Sequence, residues 1–315
     1  MVTHRASGSL SFLGLGLILS AAACSPATST PCPAAPAGAT GATVDNVADA
    51  PRRWTIESSE IVELSSRETG RDYRLVIGLP PSFSEHPERH YPALYLTDGQ
   101  WDFPLVEMLS GGLRYDKVVP EYVIVAITYA GEKPDYDRLR REDYTPTRPP
   151  SNGTDAPSGG DASKFLSFIE GSVIPLIEQR YRADPAQRVL SGHSLGGLFA
   201  LYALFERPEL FQTVLSLSPA VGWDNRYLFD RERAFHAAHP RLDKRVWLSV
   251  GDSEWPQFTQ AAQEFFKQFQ SSAYEGITLQ TRVVEGEAHA GVKPESYNRA
   301  IRFAFQPWAN TPREN

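Results

Sequence analysis

Cysteine is almost missing from this chain. Of 315 residues only Cys24 and Cys32 are cysteines, and both lie near the beginning. From residue 33 onward there is none, which excludes disulfides and thiolate metal sites from the bulk of the protein. A membrane-length apolar run is missing too: the stretch at 10–19 is too short to span a bilayer. The formal charge of −7 is mild and spread along the chain. There is accordingly no basic patch for nucleic acid and no polybasic membrane segment. No internal repeat is found.

What the beginning does contain is an export signal. Residues 1–5 carry a weak positive end, 10–19 are apolar, and Ser20-Ala21-Ala22-Ala23 supplies small residues ahead of Cys24. Small residues leading into a cysteine resemble the bacterial lipoprotein signal, although Ala21 stands where that signal usually has Leu. On that reading residues 1–23 are removed, Cys24 is lipidated, and the protein is exported and anchored to a bacterial membrane without a transmembrane helix. The alternative is ordinary cleavage after Ala21-Ala22-Ala23. Residues 24–51 are rich in Pro, Ala, Thr, Ser and Gly, and they read as a flexible tether that cannot bury a core. Residues 52–315 are expected to form one catalytic domain, long enough for a substantial core.

Within that domain, alternating patterns at 54–64 and 72–79 predict an antiparallel hairpin, with Gly70 in its turn. Continuous apolar runs at 93–96 and 122–127 predict strands covered on both faces, and further buried strands are expected at 188–190, 213–217, 245–250 and 277–284. Helical patterns occupy 162–181, 195–206, 226–238, 257–271 and 294–305. This alternation predicts an α/β fold, a mostly parallel doubly wound sheet with an antiparallel N-terminal hairpin. Residues 132–161 break the rhythm with Pro, Gly, Ser and charges, and they are expected to form a lid-like insertion.

The most informative segment is Ser191-Gly192-His193-Ser194-Leu195-Gly196-Gly197. It lies between an expected strand and an expected helix, the context in which G-x-S-x-G presents a serine hydroxyl at the top of an α/β-hydrolase sheet. The nucleophile sits in a strained turn, and Gly192 and Gly196 keep Cβ atoms out of it. Ser194 is therefore the expected nucleophile.

A serine nucleophile needs a base and an acid to orient that base, in the chain order Ser, acid, His. Only His236, His239 and His289 follow Ser194. His236 and His239 fall at the end of an expected helix among alanines. His289 lies in a small-residue loop after the last expected strand, where the base belongs. Asp252 and Glu254 both follow the strand at 245–250, and spacing does not separate them; Asp224 is a weaker candidate suited to a helix cap or turn. Oxyanion donors are expected from the Leu195 amide at a helix N-terminus and from Gln100, after the third strand. Gly99 would allow that turn, and Asp98 would fix the loop.

Taken together, Tyr91 to Gln100, Asp143-Tyr144-Thr145-Pro146, Gly192 to Leu198, Leu217-Ser218-Pro219 and Gly251-Asp252-Ser253-Glu254 resemble the putative-esterase family of α/β-hydrolases. That family includes siderophore esterases, feruloyl esterases and mycolyltransferases, and the look is nearest to the enterobactin- and bacillibactin-type siderophore hydrolases. The export signal departs from the cytoplasmic siderophore esterases. The resemblance places the acid on Glu254. It implies a serine hydrolase that cleaves a small-molecule carboxylic ester through an acyl-enzyme, with no metal or organic cofactor. An acyltransferase of the same fold and a non-catalytic binding lipoprotein are the alternatives. Nothing in the sequence sets the oligomeric state.

Overall fold

A computed structural model describes residues 54–148 and 158–309. The signal at 1–23, Cys24 and the tether at 24–51 lie outside the described residues. Eight strands form one sheet: β1 (Ser59–Ser65), β2 (Asp72–Gly78), β3 (Tyr91–Leu96), β4 (Val123–Tyr129), β5 (Ala183–His193), β6 (Thr213–Leu217), β7 (Arg245–Gly251) and β8 (Thr278–Val284). Their spatial order is β1-β2-β4-β3-β5-β6-β7-β8. β1 pairs antiparallel with β2, and β2 with β4, while every other pairing is parallel. The turn of the first hairpin needs a left-handed residue, and Gly70 supplies it with φ +69°. This is the sheet order and mixed direction of the α/β-hydrolase fold.

The helices are α1 (Gly99–Tyr115), α2 (Tyr136–Tyr144), α3 (Ala162–Phe168), α4 (Ile174–Tyr181), α5 (Leu195–Glu206), α6 (Trp223–Ala238), α7 (Pro256–Ser271) and α8 (Lys293–Ala309). They cover both sides of the sheet, so the two-residue period of a strand feeds two cores. In β4, Val123, Val125 and Ile127 join one cluster with residues of α3 to α7. Ile124 and Ala126 join the other, with Phe103 and Val106 of α1 and Tyr297 and Ile301 of α8. β3, β4 and β6 are buried along their whole length, which is why they read as unbroken apolar runs. α5 is buried nearly all round, as its Leu198-to-Phe205 run requires.

Several sequence expectations shift. The first strand begins at Ser59 rather than 54, and Trp54 is exposed. The helix expected at 162–181 is broken by a π-helical turn, Ile169–Val173, between α3 and α4. α6 starts three residues before 226, and Asp224, Asn225 and Arg226 adopt left-handed backbone there. Asp224 is accordingly a turn residue, and Gly222 holds the N-cap position. Two helices were not expected. α1 buries Phe103, Val106, Ser110 and Leu113, a helical spacing masked in the sequence by Pro104 and the Gly111-Gly112 pair. α2 lies inside the insertion at 132–161, and Asp135 caps it by accepting from the Arg138 amide at 3.1 Å.

The insertion is tied down at its base. Arg71, beside β2, donates to Asp143 and Glu142 at 2.6 Å and to Asp161 at 2.9 Å. Tyr73 donates to the other Asp143 oxygen at 2.7 Å. Burial pushes the Asp143 carboxyl up to about 6, against the pull of Arg71. Further along, Trp223 donates from its indole to the Thr147 carbonyl at 3.0 Å.

Candidate active site

Ser194 is the single residue between β5 and α5, with φ 60° and ψ −118°. Such a backbone costs about 1–3 kcal/mol for a non-glycine residue and persists only where its surroundings impose it. Here the Ser194 amide donates to Leu217 at 2.9 Å, and its carbonyl accepts from Leu198 and Ala220, both at 3.0 Å. A Cβ on Gly192 would overlap the Gly196 backbone, and one on Gly196 would overlap Thr97 Oγ1. The two glycines therefore do what the motif requires of them. They let the turn close on itself and against the end of β3.

That contact with β3 places the next part of the site. Leu96 pairs with Ser191, and the Thr97 amide donates to the Ser191 carbonyl at 3.0 Å. The loop at Thr97 to Gln100 thus runs beside the serine turn, and α1 starts there. Gly99 faces Ala126, whose Cβ would lie 2.9 Å from any Cβ added at 99. Asp98 is left-handed, with φ 55°, and Arg140 of α2 clamps both its carboxylate oxygens at 2.9 and 2.7 Å. Asp98 fixes the loop, as expected. The Gln100 side chain is engaged by Thr128 at 2.7 Å, and its backbone lies in the first turn of α1. Leu195 is the first residue of α5. First-turn amides of a helix have no intrahelical acceptor and carry the positive end of its dipole.

The structure separates Glu254 from Asp252. The Glu254 side chain is wholly buried, and its Oε2 accepts from His289 Nδ1 at 2.5 Å. Its Oε1 accepts from Ser218 Oγ and from the Gly251 amide, both at 2.7 Å. Asp252 is exposed and turns away, accepting from the Gly286 amide at 2.8 Å and from Ser253 at 2.9 Å. It tethers the loop that carries His289. Two backbone bonds at 3.1 Å, Asp252 to Val284 and Ser253 to Glu287, complete that tether.

The same loop is held from the serine side by His193. Its Nε2–H donates to the His289 carbonyl at 2.7 Å, and the two imidazole rings lie 4.5 Å apart. Burial, followed by the nearby charges of His289 and Lys293, holds the His193 imidazole well below its usual range, so it stays neutral. Trp255 and Phe258 flank the His289 ring at 5.0 and 4.9 Å. The histidines left aside lie elsewhere: His236 packs on Tyr274 and His239 on Phe235.

Around this centre, Trp101 follows Gln100, stays half-exposed, and has the Arg140 guanidinium 5.5 Å from its ring centre. Tyr136 of α2 lies 5.8 Å from Trp101. In the first turn of α1, Asp102 is buried between Lys293 and Tyr297, each at 2.6 Å. Burial raises its carboxyl despite Lys293. Ser218, His193 and Arg140 were not assigned roles from sequence. Ser218 and His193 had local signals, the first in Leu217-Ser218-Pro219 straight after a buried strand and the second inside the serine motif, while Arg140 had none. Among the described residues no group of three or more His, Cys, Asp or Glu side chains is placed to hold a metal ion.

Residues 66–299 match the family model described as "Putative esterase". This chain belongs to that esterase family. The esterase is 31% identical over 271 residues to a ferri-bacillibactin esterase of Bacillus subtilis, covering 81% of this chain and 92% of the relative. It is also 31% identical over 223 residues to a siderophore enterobactin esterase of Emericella nidulans, covering 64% and 72%. Among solved structures, the BES protein from Bacillus cereus superposes with a TM-score of 0.73 at 27% identity, over 82% of the esterase and 99% of that chain.

Proposed function

We propose that the protein is a serine esterase in which Ser194, His289 and Glu254 form the triad. The observation that carries this reading is the buried Glu254 carboxylate on His289 Nδ1, in a loop that His193 ties to the Ser194 turn. With Nδ1–H held by Glu254, Nε2 is the nitrogen free to accept a proton. His289 takes the Ser194 proton as Oγ attacks the ester carbonyl, and Glu254 stabilises the imidazolium. The Leu195 and Gln100 amides bind the oxyanion. Collapse of the tetrahedral intermediate breaks the bond to the alcohol, which leaves with the proton from His289. Water, activated by the same imidazole, then releases the acid from the acyl-enzyme. Ser218 and the Gly251 amide hold the carboxylate aimed at His289, because both donate to Oε1 and leave Oε2 to the imidazole.

The substrate class we infer is a siderophore ester, because two similar proteins carry that activity in their names. Those names favour hydrolysis over acyl transfer. Trp101, Tyr136 and Trp255 suit an aryl-bearing ester. The sequence adds export and lipidation at Cys24 to this reading.

The experiment is hydrolysis of a cyclic catecholate triester, iron-free and iron-loaded, followed by product analysis. Stepwise appearance of linear trimer, dimer and monomer acids supports the reading. Intact triester, together with rapid cleavage of unrelated aryl esters, would move the substrate elsewhere. Fractionation of cells expressing Cys24→Ser tests the anchor: the variant should leave the membrane fraction.

A further inference from the structure

A half-open cavity of about 410 Å³ lies on the flank of the sheet that α1 and α8 cover. Its base is Trp247 of β7 with its register partner Gln280, and Arg282, two residues further along β8. One face of α8 supplies Arg299, Arg302, Phe303 and Gln306, at helical spacing. Lys117 and Val118, just past the end of α1, close it. The start of α1 belongs to the active site, and a helix of 17 residues is about 25 Å long, so this cavity is remote from Ser194.

Every charged residue lining it is a cation. Lys117, Arg282, Arg299 and Arg302 converge there in a chain whose formal charge is −7. A single carboxylate, Glu295, pairs with both Arg282 and Arg299. The Lys117, Arg302 and Gln280 side chains have no partner among the described residues. Behind this rim, Trp247 Nε1 is buried with no hydrogen-bond acceptor among the described residues. Buried donors without acceptors are rare, because nothing offsets the loss of their water. Clustered cations with an orphaned donor behind them are the inverse image of an anion.

We propose that this cavity binds a small polyanion carrying two or more phosphate or carboxylate groups. The volume falls in the range of small-molecule sites and exceeds what one monatomic ion would fill. Four cations against one carboxylate match several negative groups rather than one. Trp247 and Phe303 provide an apolar wall for the ligand's body.

The test is calorimetric titration of the full-length protein with pyrophosphate and with citrate, against sodium chloride at matched ionic strength. Saturable binding of either is expected; which one binds tells phosphate from carboxylate recognition. Lys117→Gln and Arg302→Gln should each weaken it about tenfold, and Trp247→Phe should weaken it without removing charge. Ser194→Ala should bind like wild type, since the nucleophile is remote. Two results would overturn the proposal: heats no larger than those of sodium chloride, or saturable binding that persists unchanged in the Lys117→Gln, Arg302→Gln double variant.

Discussion

His193 and His289 lie with their rings 4.5 Å apart, joined through a 2.7 Å hydrogen bond from one imidazole to the other's backbone carbonyl. The residue before the serine thus holds the loop that carries the base. Ser194 leaves β5 and His289 follows β8, so the two loops would otherwise be free to drift apart. Replacing His193 by Ala should lower kcat about tenfold or more while leaving KM nearly unchanged, because the bond positions His289 and touches no substrate. The neutral His193 contributes stability that is present above its unfolded pKa, near 6.5, and is lost as pH falls below it. Thermal melts of wild type and His193→Ala should therefore converge toward acid pH.

Glu254 and Asp252 are two residues apart and have different work. Glu254→Gln should lower kcat by about a thousandfold or more, since the amide supplies no charge for the imidazolium. Asp252→Asn should cost less than about tenfold, through a looser His289 loop. Steady-state kinetics on one chromogenic ester decides it. Equal losses would contradict the separation of roles.

Arg140 clamps a buried carboxylate from α2. Removing it as Arg140→Met would leave Asp98 buried and unpaired, at a cost of about 3 kcal/mol or more. Arg140→Met, Asp98→Asn together should recover much of that stability, because the uncompensated charge is gone. Urea titrations of the single and double variants measure both effects.

Asp143 gives a pH signature of opposite sign to an ordinary surface carboxylate. Its folded pKa is raised to about 6, so its contribution is fully present below about pH 4 and is lost as pH rises through 6. Asp143→Asn lacks that titration. Wild type should lose stability relative to the variant between pH 4 and pH 6, read from urea midpoints. A constant difference across that window would contradict the raised value.

The sheet and the serine turn were legible in the sequence because they depend on local pattern. Apolar runs at 93–96 and 213–217 mark strands buried on both faces, and the glycines around Ser194 mark a backbone that side chains would block. α1 was hidden because Pro104, Gly111 and Gly112 imitate loop chemistry, while its stability comes from packing Phe103, Val106 and Leu113 on the sheet. Local spacing did not separate Asp252 from Glu254; the resemblance favoured Glu254, and the physical reason needed three dimensions. Both follow β7 at similar distance, and only the path of the backbone beyond Gly251 sends one carboxylate inward. His193 and Arg140 act across 96 and 42 residues of chain, a separation that no local motif records.

Everything proposed for the site depends on an activated serine at position 194. Its most direct test is labelling of the purified protein with a fluorophosphonate, with the adduct located by peptide mass spectrometry, beside Ser194→Ala and His289→Ala. One stoichiometric adduct on Ser194 is expected, absent from the first variant and slowed by orders of magnitude in the second. A folded wild-type protein that takes no label, or takes it on another residue, would contradict it.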